Sequence, residues 1–214
     1  AIGGIYTFSN GEKKYTGTMG DIGTTSFYPA KNLGAYGDGG AIFTNNDKLA
    51  EKIRMIVNHG ENKRYHHKII GCNSRLDSLQ AVILNIKLKY LDNYNSTRII
   101  MADNYNKAFQ NINNLQTPIE IDNSTHVYHQ YTLKIFDGRR NELKDYLQKN
   151  GIPTMIYYPI PLYKQEAFSN YVDDGYYLKN TEELSKNVLS LPIHTEIENS
   201  HQDFIIEKVL NFFK

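Results

Sequence analysis

The run Ser26-Phe27-Tyr28-Pro29-Ala30-Lys31-Asn32-Leu33-Gly34-Ala35-Tyr36-Gly37-Asp38-Gly39-Gly40-Ala41 constrains this chain more than any other stretch. A short apolar piece, Ser26 to Tyr28, leads to one lysine. A glycine-rich loop then separates that lysine from a second apolar piece, Ala41-Ile42-Phe43. Read locally, this is strand, turn, strand, with Lys31 at the turn. Pro29 fixes its own φ and biases Ala30 and Lys31 toward a turn. Gly34, Gly37, Gly39 and Gly40 permit close backbone approaches that side chains would block. A lysine amine beside such a loop suits Schiff-base chemistry, because the neutral amine attacks carbonyls and burial or a nearby cation favours that form. The bland alternative is a solvated surface lysine, the usual fate of a lone one. Phosphate loops fail on spacing. A Walker loop would need Ser or Thr after the lysine, where Asn32 stands. A dinucleotide loop from Gly37-x-Gly39 would need Gly or Ala at Ile42.

A length of 214 residues suits one large domain or two small ones, and 40% hydrophobic content is enough for a core. A net charge of +1 gives no electrostatic case for nucleic-acid or membrane binding. No apolar run approaches the roughly 20 residues that span a bilayer, and no secretory pattern is visible in the first residues. Cys72 is the only cysteine, so an intrachain disulfide and a cysteine metal cluster are excluded. A cytoplasmic enzyme or binding domain is the expectation.

Along the chain, Ile2 to Tyr15 reads as a strand and a loop, Thr24 to Phe27 as a strand, and Gly40 to Thr44 as another. Asn45-Asn46-Asp47 offers helix N-cap chemistry. Leu49, Ala50, Ile53, Ile56 and Val57 then repeat at helical spacing, with Gly60 as the terminator. Residues 61–73 read as a polar loop. Leu79 to about Ile112 reads as helix, broken near Asp92-Asn93. Its stripes are Leu79, Val82, Ile83, Ile86 and Tyr90, then Leu91 through Tyr105 and Phe109 to Ile112. Such amphipathic stretches pack on a core or bridge two lobes. Residues 113–124 read as a loop. His126 to Phe136 alternates as a strand that puts Val127, His129, Tyr131, Leu133 and Ile135 on one face. His126 and His129 then fall on opposite faces, which argues against a shared metal, and the neighbours His66-His67 diverge in the same way. Arg140 to Asn150 and Glu182 to Val188 read as helices and Pro153 to Tyr158 as a short strand. A terminal helix follows, capped by Ser200 with Asp203 and burying Ile205, Val209 and Phe213.

The lysine run resembles the active-site segment of the DegT/DnrJ/EryC1/StrS family of PLP-dependent sugar aminotransferases. There a serine opens a Ser-Phe-x-x-x-Lys pattern, and an acidic residue and paired glycines follow. Ser26, Phe27, Lys31, Asp38, Gly39 and Gly40 occupy those places. Three more segments match in order. Gly71-Cys72-Asn73-Ser74-Arg75-Leu76-Asp77 resembles the Gly-x-Asn-x-Arg-x-Asp motif, although alone it is an ordinary helix entry with Asp77 as cap. Ile156-Tyr157-Tyr158-Pro159 resembles a His-Tyr-Pro segment, and Leu189-Ser190-Leu191-Pro192 a Leu-Ser-Leu-Pro segment. Many members carry histidine where this chain has Tyr157 and Tyr163, so any histidine-dependent role there does not transfer.

The resemblance implies an α/β fold of the aspartate aminotransferase type (fold type I). Residues 1–76 would be part of the large sheet domain, 77–115 connecting helices, and 116–214 a smaller C-terminal α/β domain. It implies pyridoxal 5'-phosphate held by Lys31, with Ser26 on the phosphate and Asn73 reaching the phosphate in the partner of a homodimer. Tyr36, Arg75, Tyr158 and Tyr163 are the candidate substrate contacts. No metal site is expected. Glutamate would donate the amino group and a nucleotide-linked keto-sugar accept it, at C3 by the wording around Asn32 to Asp38. In the family, the aspartate that pairs with the pyridine nitrogen lies just before the point matching Ala1. The chain is therefore expected to be a C-terminal portion, inactive alone. The competing readings are a non-catalytic or regulatory member, a sugar dehydratase of the same fold with histidine in place of the lysine, and an α/β binding domain without cofactor.

Overall fold

The computed structural model describes residues 2–173 and 175–214; Ala1, where the expected sheet domain begins, lies outside them. The chain divides into two compact units. One comprises the residues up to Ser96 together with Glu120–His129, and the other Thr97–Ile119 together with Gln130–Lys214.

The first unit is built from antiparallel hairpins and two helices. β1 (Ile5–Thr7) pairs with β2 (Lys13–Tyr15), where the sequence suggested one strand and a loop. The segment 120–129 joins this hairpin from far along the chain. Thr7 N donates to Asn123 O at 2.7 Å, and Thr125 N to Ile5 O at 2.9 Å. β3 (Gly23–Ser26) pairs with β4 (Gly40–Phe43), which closes the lysine run into a loop as its strand–turn–strand pattern predicts. α1 (Asp47–Val57) starts where expected, because Asn46 Oδ1 accepts from Lys48 N and Leu49 N. At its end, His59 takes the left-handed conformation (φ 59°) and Gly60 N bonds back to Met55 O at 2.7 Å.

The expected loop at 61–73 is more ordered than its polarity suggests. β5 (Glu61–Lys63) pairs with β6 (His66–His67), and Cys72 N and Ser74 N donate to Ile56 O and Val57 O at the end of α1. α2 (Ser78–Leu88) follows Asp77, which stands at the cap position without making a side-chain capping bond.

The long helix breaks at Lys89-Tyr90 rather than Asp92-Asn93. Bonds of the i→i−3 type, Lys89 N to Ile86 O and Tyr90 N to Lys87 O, tighten the chain there. α3 (Leu91–Phe109) then begins with Leu91 buried in a cluster with Phe27, Leu33, Ala35 and Leu84. The stripe expected to pack from α2 is mostly exposed: Leu79, Val82, Ile86 and Tyr90 all face outward, and Leu84 is the buried residue. In α3, Met101, Ala102, Tyr105 and Phe109 are buried, as the periodicity predicts.

The second unit has a three-stranded antiparallel sheet ordered β7 (Leu115–Gln116), β8 (Tyr131–Ile135), β9 (Val188–Leu191). β8 alternates as expected, with Tyr131, Leu133 and Ile135 fully buried. It starts late because Tyr128 has φ 43° and its N–H bonds to His126 Nδ1 at 3.0 Å, a local bond that competes with the ladder. Pro153 to Tyr158 is not a strand; only Met155 pairs, with Ser190.

α4 (Arg140–Lys149) buries Leu143 and Leu147. α5 (Lys179–Asn187) begins earlier than the sequence suggested, and its end is capped by buried Arg140, which donates to Ser185 O and Val188 O. The Leu-Ser-Leu-Pro segment is structural. It forms β9, and Tyr105 Oη bonds to Pro192 O at 3.0 Å. α6 (Asn199–Phe213) is preceded by Glu198 rather than capped by Ser200, and it buries Ile205 and Val209. Each fully buried aliphatic side chain here contributes about 1.5–3 kcal/mol. Among the described residues, no helix is long and apolar enough to cross a membrane.

Candidate active site

The loop between β3 and β4 is held by backbone bonds that the sequence pattern alone does not reveal. Phe27 N donates to Gly39 O (2.8 Å), Lys31 N to Tyr28 O (2.8 Å) and Ala35 N to Phe27 O (2.7 Å). Gly34 is required by space. A Cβ there would lie 2.3 Å from Pro29 O, and no flexible side chain could yield to relieve it. Lys87 Nζ donates to the Gly34 carbonyl at 2.5 Å. Ser26 stands at the head of the turn, where its Oγ accepts from Tyr28 N at 3.1 Å. Lys31 is only partly exposed, and its Nζ lies 3.3 Å from Nε2 of His129.

Asn32 anchors the loop from its other side. It is buried, and its Nδ2 donates to Asn95 Oδ1 at 2.7 Å and to Val127 O at 2.8 Å. Asn95 Nδ2 in turn donates to Ile2 O at 3.2 Å. The sequence connects neither Asn32 nor His129 with the contacts they make here. The partners lie 63 to 98 residues away, and no local motif encodes such contacts.

Asn73 and Arg75 meet, with Arg75 Nε donating to Asn73 Oδ1 at 3.1 Å. Together with Asp38 and Arg54 they line a groove of about 780 Å³ beside the β3–β4 hairpin, and Lys31 is not among its lining residues. Tyr36 is largely exposed, with its N–H on Gln80 Oε1 at 2.8 Å and Lys87 Nζ over its ring.

Tyr158 and Tyr163 belong to the second unit. Tyr158 is 72% exposed. The Tyr163 hydroxyl instead donates to Glu182, which also takes the Lys164 ammonium. Those two bonds, Lys164's first, hold the Glu182 carboxyl below the usual carboxylate range. Among the described residues, no group of three or more His, Cys, Asp or Glu could hold a metal.

The chain as a whole is similar to known proteins. A protein of Geobacillus stearothermophilus named "Pleiotropic regulatory protein" is 42% identical over 216 residues, covering 100% of this chain and 56% of the relative. The UDP-2-acetamido-2-deoxy-3-oxo-D-glucuronate aminotransferase of Pseudomonas aeruginosa is 39% identical over 193 residues, covering 90% of this chain and 52% of that enzyme. The chain thus spans about half the length of these curated relatives. Among solved structures, ntda from Bacillus subtilis with bound cofactor PMP superposes with a TM-score of 0.81 at 32% identity, covering 90% of this chain and 46% of that one. The two units accordingly have the fold type I α/β architecture. The family profile that matches residues 1–210, with a relative so similar along the whole chain, makes this polypeptide a member of the DegT/DnrJ/EryC1/StrS aminotransferase family.

Proposed function

We propose that the protein containing this chain is a pyridoxal-phosphate-dependent aminotransferase that moves an amino group from an amino acid, glutamate by family habit, onto C3 of a nucleotide-linked keto-sugar in amino-sugar biosynthesis. The observation that carries the reading is the partly buried Lys31 amine at a turn stiffened by Gly34 and opened by the Ser26 hydroxyl. This donor set fits the cofactor: an amine for its aldehyde and a hydroxyl for its phosphate. When bound, the cofactor supplies an electron sink for the carbanion left as the donor loses its α-proton.

This chain's residues do the rest. Lys31 holds the group through Nζ. Once freed, the same nitrogen would take the α-proton from the donor and hand it to the cofactor's aldehyde-derived carbon, as base and then acid. Ser26 orients the phosphate, and Asn73 is assigned to the phosphate in the neighbouring subunit. Tyr36, Arg75 and Tyr158 are assigned to the sugar nucleotide, since each is exposed; Tyr163, also a sequence candidate, spends its hydroxyl on Glu182. The exposed face of α2, carrying Leu79, Val82 and Ile86, supports a homodimer. A cytoplasmic setting completes the reading.

The C3 assignment draws support from the relative named for a 3-oxo sugar nucleotide. A regulatory, non-catalytic role is the second reading, favoured by the name of the Geobacillus relative. Borohydride reduction of the full-length protein loaded with pyridoxal phosphate, followed by peptide mapping, separates the two. The label is expected on Lys31 and lost in Lys31→Ala. A label elsewhere, or none, refutes the catalytic reading. Product NMR from a panel of nucleotide-linked keto-sugars then fixes the carbon aminated.

A further inference from the structure

We infer that His129 positions the Lys31 amine, a role that rests on the reading of Lys31 as the cofactor lysine. The two residues are 98 positions apart, yet His129 Nε2 lies 3.3 Å from Lys31 Nζ in a partly buried setting. An ammonium has donors only, so in this pair Nζ donates and the neutral imidazole nitrogen accepts. The imidazole is delivered by a clamped backbone. Two residues before it, Val127 O accepts a 2.8 Å bond from Nδ2 of Asn32, the residue next to Lys31. Asn32 is itself buried and bonded to Asn95 at 2.7 Å. A buried amide therefore holds the lysine's backbone and the histidine's in register. A lysine on its flexible four-carbon stem otherwise spreads over many rotamers. One accepting nitrogen at the end of its reach selects among them. This matters while Nζ is free and must move a proton at a fixed place, where small misplacements are costly. His129 acts through Lys31 and is a positioning residue.

The test uses the full-length protein with His129→Leu and His129→Gln. In the cofactor-free form, competitive acetylation by acetic anhydride is read by mass spectrometry as label on Lys31 relative to the exposed Lys52. His129→Leu is expected to raise Lys31 labelling about tenfold, because the charge-assisted bond no longer has to break before the amine reacts. His129→Gln keeps an acceptor oxygen and is expected to stay within about twofold of wild type. In the holoenzyme, His129→Leu lowers kcat and leaves KM for the amino donor unchanged, and His129→Gln restores most of the rate. Unchanged Lys31 labelling in His129→Leu overturns the inference, as does equal loss of rate in both variants. If the leucine variant does not fold, His129→Asn, whose shorter amide stops short of Nζ, gives the same readout. The cofactor reading is tested separately by borohydride on wild type. Absence of label there, with the acetylation shift still present, sinks that reading and leaves the Lys31–His129 contact standing.

Discussion

Replacing Asn32 with alanine strands two buried acceptors at once. The Asn32 Nδ2 group bonds Asn95 Oδ1 at 2.7 Å and Val127 O at 2.8 Å, and Asn32 is 7% exposed, so water does not readily take its place. An acceptor buried without a partner costs about 1–3 kcal/mol. Two such costs appear. One is relieved, since Asn32 Oδ1 is itself buried without a hydrogen-bond partner among the described residues. The balance is a loss of about 2 kcal/mol, roughly thirtyfold in the folding equilibrium. Asn32→Asp should be worse than Asn32→Ala, because it turns a donor into a carboxylate oxygen facing two oxygens. Urea unfolding of the full-length protein measures all three chains. A cycle with Asn95→Ala should show coupling of at least about 0.5 kcal/mol. Loss of under about 0.5 kcal/mol in Asn32→Ala, or an aspartate tolerated as well as alanine, would refute the clamp.

Three further substitutions have expected outcomes. Gly34→Ala drives a Cβ to 2.3 Å from Pro29 O and should cost about 2 kcal/mol or more while lowering borohydride label on Lys31. Gly37→Ala, where the neighbour at 3.1 Å is the flexible Gln80 amide, should stay within about 1 kcal/mol of wild type in the same denaturation assay. Glu182 is held below its ordinary value by Lys164 and then Tyr163, so the folded state binds its proton less readily than the unfolded chain. Its contribution is present above the unfolded value of about 4.3 and is lost as pH falls through the folded one. Glu182→Gln should flatten that acid limb of the thermal midpoint. It should also speed hydrogen exchange at Leu178 N, which donates to Tyr163 Oη at 3.3 Å; unchanged exchange would count against the bond's role.

Much of the site's local form was legible in the residues. Pro29, Lys31 and the glycines announced a turn between strands, Asn46 announced a helix start, and Tyr131, Leu133 and Ile135 announced a buried strand face. Each of these signals works through neighbours two to four positions away, where backbone geometry converts spacing directly into shape. The same logic misread the strand at 126–130. The pattern alternated, but a histidine-to-backbone bond at Tyr128 outcompeted the ladder. It also misread α2, whose apolar stripe is real but unburied within this chain.

The sequence by itself determined where the lysine of the run stands and the hairpin that presents it, because both depend on adjacent residues. Only the tertiary structure decided what its amine touches. His129 and the Asn32 clamp join segments 63 to 98 residues apart, and hydrogen bonds across such separations leave no periodic trace in the chain. They exist because a buried amide and its carbonyl partners have nowhere else to find one another.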